Sequence, residues 1–225
     1  MMKKPTMEEA AAVTSVFWDI KRCPVPTGFD ARLVGPCIKR ALKNKGYSGP
    51  LTITVVGILS EAEPATRPSK QSKVPDDVLR VVSSTGIVLN HVATDCLHVA
   101  DAICEWAERY PPPANLMVIS DNKYHPSLLR IFSKDGYNIL EPFPFSELEG
   151  ALEEDKRSEK GDSASWVCSI CEYLPGQGFE KFTNHLSSQN HAQKLLTLLP
   201  VNQQEHPDFT KYKQDLQHQV ICDSS

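Results

Sequence analysis

The chain predicts a doubly wound α/β sandwich with a mainly parallel sheet, on three observations. Residues 15–20 (SVFWDI) and residues 115–121 (NLMVISD) are short apolar runs that each deliver an acid, Asp19 and Asp121. Continuous apolar runs of this length, bounded by polar or Pro-rich segments, read as strands buried on both faces, the mark of a parallel sheet covered by helices. Strand-like and helix-like segments then alternate along the first two thirds of the chain, β-α-β-α-β-α-β-α-β. In such a sheet the working site lies outside the carboxyl ends of the strands. Two strands that bring an Asp to that edge point to a metal or phosphate site.

Each element has a local reason. After the first strand, Cys23-Pro24-Val25-Pro26-Thr27-Gly28 is a turn-rich loop. Residues 31–45 then repeat Leu33, Cys37, Ile38, Ala41 and Leu42 near helical spacing, and Gly46 stops that helix. Residues 51–58 form a β-branched strand, and residues 62–74, with Pro64 and Pro68, read as a mobile loop. Pro75 or Asp76 opens a short helix that buries Val78, Leu79, Val81 and Val82; Gly86 ends it before a strand at 87–92. The helix at 95–109 is stopped by Pro111-Pro112-Pro113, ahead of a strand at 116–120. A last helix near 126–134 leads to a strand at 137–140.

Length and composition bound the rest. At 225 residues, the chain fits one domain of about 150 residues and a smaller module. Hydrophobic residues make up 40% and charged residues 23%, enough for a packed core, and no apolar stretch approaches the roughly 20 residues that cross a bilayer. No signal-peptide h-region follows Met1, and Asp223-Ser224-Ser225 is no retention or peroxisomal tripeptide, so the default address is cytoplasm or nucleus. Seven Cys, scattered except for Cys168 and Cys171, point to a metal site and buried thiols in a reducing compartment. The net charge of −4 hides a local excess: Lys21, Arg22, Arg32, Lys39, Arg40, Lys43 and Lys45 face only Asp30 in the same interval. Such a patch attracts a phosphate backbone or is a solvated helix face.

Phe17-Trp18-Asp19-Ile20 with Cys23-Pro24-Val25-Pro26, the segment at 84–92 (STGIVLNHV), Pro111-Pro112-Pro113-Ala114-Asn115, Ile119-Ser120 and the segment at 136–140 (GYNIL) together resemble the NYN domain. The likeness runs over about residues 15–147 and is greatest to the plant branch related to the meiosis arrest female protein, also called limkain. The resemblance implies a PIN-like fold and, in active members, a ring of Asp residues that holds a divalent metal for RNA cleavage. On it, Asp19, Asp101 and Asp121 are the candidate catalytic residues, with Mg²⁺ or Mn²⁺ as the metal. Several fixed carboxylates are chemically required, because hard cations take oxygen ligands.

The chain departs from the family pattern where that chemistry would sit. Lys21 and Arg22 occupy positions usually held by Glu and Asn, and the acid expected in the helix at 95–109 falls on Ala102. The last motif, usually Ile-Ser-Gly-Asp-x-Asp-Phe, reads Ile119-Ser120-Asp121-Asn122-Lys123-Tyr124-His125. Acids are traded for Lys21, Arg22 and Lys123, which become candidate RNA-phosphate contacts. Asp19 also reads as a strand-end cap of the following loop, Asp101 as an ordinary helix acid, and His91, His98 and His125 as packing or surface residues. Cys23, Cys37, Cys96 and Cys104 read as small buried groups.

Beyond a polar, charged linker at 148–165, Cys168 and Cys171 are followed by thirteen residues to His185 and five to His191. Two thiolates and two imidazoles at this spacing predict a tetrahedral Zn²⁺ site on residues 166–200, with one helix turning both histidines to the same side and Phe179, Phe182, Leu186 and Leu195 as a miniature core. The spacing resembles the U1-like or matrin-type C2H2 zinc finger of RNA-binding proteins. The expected organisation is therefore a leader at 1–14, the NYN domain at 15–147, the linker, an independent finger, and a tail at 201–225 with a short helix near 208–219. Three functions follow: an RNA-associated regulator with a degenerate nuclease site, acting after transcription on single-stranded RNA or a ribonucleoprotein partner; an active metal-dependent endoribonuclease; or a protein-interaction scaffold. Oligomeric state is open, and family resemblance adds the peroxisome as an address.

Overall fold

A computed structural model describes residues 4–26, 29–59, 74–92, 98–120, 125–142, 165–172 and 174–198. Seven strands form one sheet: β1 Thr14–Asp19, β2 Leu51–Gly57, β3 Val88–His91, β4 Asn115–Ile119, β5 Asn138–Leu140, β6 Ser165–Cys168 and β7 Leu174–Gln177. Their order is β5-β4-β1-β2-β3-β6-β7, parallel throughout except for the β6–β7 hairpin. The helices are α1 Met7–Ala11, α2 Val34–Asn44, α3 Asp76–Ser84, α4 His98–Arg109, α5 His125–Lys134, α6 Phe179–Leu186 and α7 Gln189–Leu198.

β1 is buried along its whole length, as its unbroken apolar run requires. Successive side chains alternate faces, so Val16 and Trp18 join one core with Val34, Ile38, Leu79, Val82 and Leu89. Phe17 joins the other, with Val99, Ile103, Trp106, Leu128 and Phe132. Helices α2 and α3 therefore cover one face and α4 and α5 the other. The chain runs outward from β1 through β2 to β3, then returns to β4 and β5 on the far side of β1. That reversal puts the switch point of the sheet between the carboxyl ends of β1 and β4.

The amino edge is closed by the leader. Thr6 and Glu9 form a reciprocal capping box on α1, and the Asn115 side-chain amide donates to the carbonyls of Glu9 at 2.8 Å and Ala12 at 3.3 Å. Gly49 lies so close to the Ala12 carbonyl that a Cβ there would stand 2.1 Å from its oxygen.

The five expected strands are present, and the hairpin adds two. Trp166 of β6 sits in register with Leu89 of β3, and Cys168 with His91. The groups expected to form a miniature core instead join the core of the large sheet: Phe182 and Leu186 are buried there, with Phe179 and Leu195 packed against it, and Trp166 and Ile170 are buried in the same cluster. Arg80 of α3 lies over the Phe179 ring at 4.7 Å. The loop expected at 62–74 lies almost wholly outside the described residues, as do the linker, save for Ser165, and the tail.

Candidate functional site

Asp19 ends β1 at the switch point and is 1% exposed. Its carboxylate is occupied. Oδ1 accepts from the Arg22 backbone N–H at 3.1 Å, Oδ2 accepts from the Ser120 hydroxyl at 3.0 Å, and Arg22 Nε stands 3.4 Å from Oδ2. The backbone explains the approach: Cys23 N–H donates to the Asp19 carbonyl at 2.9 Å, and Trp18 Nε1 donates to the Cys23 carbonyl at 2.7 Å. That turn folds residues 20–23 back over the strand end. The strand-end cap is thus realised, with Arg22 supplying a positive charge beside the acid.

The other acids are not gathered with it. Asp101 sits half-buried in the first turn of α4, where a carboxylate complements the helix dipole. Its neighbour Ala102, where the family pattern places an acid, is buried in the second core. Asp121 and Lys123 lie outside the described residues. Lys21 and Arg22 stand on the turn after β1, Lys21 half-buried and Arg22 exposed. The rest of the basic excess disperses: Arg32 pairs with Asp30 at 2.7 Å, and Lys39, Lys43 and Lys45 follow the outer side of α2 toward the amino edge.

The second site is compact. Among the described residues, Cys168, Cys171, His185 and His191 are the one set of three or more such ligands that converges, with ligand atoms within 4.8 Å of one another. Cys168 ends β6, Cys171 ends a 3-10 turn at Ser169–Cys171, and Glu172 turns the chain back with φ 58°. His191 Nδ1 lies 3.6 Å from both sulfurs. A tetrahedral ion with metal–sulfur bonds of ~2.3 Å and metal–nitrogen bonds of ~2.0 Å sets its sulfur and nitrogen ligands about 3.5 Å apart, close to this spacing. His185 Nε2 and His191 Nε2 are buried without a hydrogen-bond partner among the described residues. The donor set therefore fits a metal ion.

The expectation of one helix through both histidines is corrected. Six positions along a continuous helix would rotate His191 about 240° from His185, away from the cluster. The chain breaks instead at Ser187–Ser188: His185 lies in the last turn of α6, and His191 in the first turn of α7, its backbone N–H donating to Ser188 Oγ at 3.2 Å. Trp166 stacks on His185, with ring centroids 5.1 Å apart, and packs so closely on Gly176 that a Cβ there would stand 2.1 Å from the indole.

Burial governs the charge of this cluster. It pushes the Cys168 thiol up to about 12 and holds both His185 and His191 below the usual imidazole range. Burial thus favours the neutral forms of Cys168, His185 and His191, and a bound metal ion would supply the charge that makes a thiol a thiolate. Cys37 and Cys104, both raised to about 11 chiefly by burial, are unreactive thiols.

Both sites lie on one edge. Asp19, Val56, Asn90 and Val167 are successive partners across β1, β2, β3 and β6, so three strand spacings of ~4.8 Å separate the end of β1 from β6, roughly 14 Å. Two residues at this edge carry no spacing signal in the sequence: Asn90, whose side chain accepts from Ser169 Oγ at 2.8 Å, and His91, 1% exposed, with its ring 5.2 Å from that of His191. No helix among the described residues is long and apolar enough to cross a membrane. No curated protein and no solved structure matches the chain. Residues 13–152 match the NYN domain family, and the α/β sheet agrees with it; the chain belongs to that family of PIN-like, nuclease-related domains.

Proposed function

We propose that this protein is an RNA-associated regulator whose NYN domain has lost its nuclease centre, and that its Cys/His cluster holds one Zn²⁺ in a U1-like C2H2 finger. The observation that carries this reading is the state of Asp19. A metal-ligating carboxylate needs oxygen lone pairs free to face a cation, whereas Asp19 is buried and bonded to Arg22 and Ser120. Arg22 beside it and Lys21 on the same turn favour direct contact with phosphate through ammonium and guanidinium donors, and Lys123, which lies outside the described residues, is the third contact on the sequence pattern alone. Single-stranded RNA is the substrate class bound, and post-transcriptional control is the role. Zinc is favoured over harder cations because half the ligands are thiols and half imidazoles.

Full-length protein is expected to bind labelled single-stranded RNA in EDTA, with an affinity that falls as salt rises by about 0.7 in the logarithmic slope per phosphate contact. Lys21→Glu/Arg22→Glu should weaken binding and flatten that slope. RNA cleavage in Mn²⁺ that disappears in Asp19→Asn would instead establish the endoribonuclease, with Asp19, Asp101 and Asp121 as its ligands. No RNA binding at all leaves the scaffold. Elemental analysis should find one zinc per chain, and Cys168→Ser should lose it.

A further inference from the structure

His91 closes the third strand of the NYN sheet yet lies against the metal-ligating cluster. It is in register with Cys168 across the β3–β6 pair. Facing residues of paired strands put their side chains on the same side of the sheet, so this imidazole and that thiol share one face at the carboxyl edge. The ring is 1% exposed and its centroid is 5.2 Å from that of His191, a ligand. His91 Nδ1 accepts a hydrogen bond from the Leu59 backbone N–H at 2.9 Å. An imidazole nitrogen that accepts carries no proton, which assigns the neutral tautomer with its hydrogen on Nε2. That Nε2 is buried and has no hydrogen-bond partner among the described residues.

A buried donor without an acceptor is costly. A protonated thiol is a poor acceptor, but a metal-bound thiolate is an anion and a good one, and outer hydrogen bonds to metal ligands are the usual means of fixing them. We propose that His91 is a positioning residue of the metal centre, donating its Nε2–H to the metal-bound sulfur of Cys168, so that the NYN sheet itself completes the Cys2His2 site. This rests on the zinc reading above. The bond to Leu59 also decides against His91 as a fifth ligand, because coordination through Nε2 needs its lone pair there and the proton on Nδ1, facing the Leu59 N–H donor to donor. The metal is thereby tied through Cys168 and His91 to Leu59, beyond the end of β2.

The test uses the full chain loaded with Co²⁺ as a probe. Wild type should show the thiolate-to-cobalt charge-transfer band of a tetrahedral site. His91→Phe, which keeps the ring and removes the donor, should shift that band and weaken metal retention against a competing chelator about 10- to 100-fold. His91→Gln, whose amide N–H reaches a similar position, should restore much of both. A purely packing role predicts lower melting temperatures in the variants with an unmoved band, and that outcome overturns the proposal. In wild type loaded with NMR-active cadmium, the His91 Nε2 proton should be slow to exchange and coupled to the metal; an uncoupled proton in a loaded protein overturns the proposal even if His91→Phe does not fold. A wild type that takes up no Co²⁺ overturns the zinc reading and this proposal together.

Discussion

Around Asp19, two donors and a cation meet one buried carboxylate, and their exposures differ sharply: the Asp19 side chain is 1% exposed and that of Arg22 is 39%. The cost of removing each partner is therefore unequal. Asp19→Ala removes the buried carboxylate that accepts from the Ser120 hydroxyl and the Arg22 backbone N–H, and should destabilise the protein by ~1–3 kcal/mol. Arg22→Ala removes a half-exposed, solvent-screened partner and should cost ~1 kcal/mol or less. The sign separates two roles. Catalytic acids crowded for a metal are often held at the expense of stability, so replacing one in metal-free protein tends to stabilise; a capping acid does the opposite. Urea unfolding of the two variants in EDTA reads it directly, and a gain in stability for Asp19→Ala would count against the cap.

The hairpin β6–β7 forms one edge of the sheet. Trp166 is the hinge of that packing, buried in the main core, stacked on His185 and pressed against Gly176. Gly176→Ala would drive a methyl into the indole, and overpacking of this kind costs ~1–3 kcal/mol. Because the ring that must move also stacks on His185 of the Cys/His cluster, the melting temperature of Gly176→Ala should fall, and a metal ion loaded on the cluster should be lost to a chelator sooner than in wild type. Sequence reading reached the first five strands because each was an unbroken or β-branched run between turn residues. It reached the four residues of the Cys/His cluster because their spacing is chemically restricted. It did not reach β6 as a neighbour of β3, because strand pairing across a long polar insertion leaves no local period, and Trp166-Val167-Cys168 reads equally well as a free metal knuckle. The helix break at Ser187–Ser188 was legible in principle, since six residues do not return to one helical face. The partners of Asp19 were not, because Ser120 meets it only through the β1–β4 pairing.

At the scale of the whole molecule, one apolar cluster runs from Trp18 and Ile38 through Leu79 and Leu89 to Trp166 and Phe182, so the Cys/His cluster and the NYN sheet should unfold together. A metal ion present at 100 times its dissociation constant should then stabilise the whole described fold by ~2.7 kcal/mol, and chelation should lower one shared transition rather than melt residues 166–200 alone. Two separate transitions would show that the hairpin contributes no cooperativity. Acid should act on the same unit. Burial, with the nearby His191 and His185, depresses His91 to about 3, and burial also lowers His185 and His191. Each is a base whose folded value lies below its unfolded value of ~6.5, so the unfolded chain binds more protons between those values. Their contribution to stability is complete above pH ~6.5 and is lost as pH falls toward the folded values. Metal loading reinforces the trend, because protons compete with the ion for imidazole and thiolate. Urea melts of the metal-free full chain from pH 8 to pH 4 should therefore be level at the alkaline end and decline below about 6.5, with a shallower decline in His91→Phe, which removes the most depressed of the three groups. Equal slopes in wild type and His91→Phe would mean that His91 is already charged or exposed in the folded protein, and the buried neutral imidazole beside the cluster would have to be abandoned.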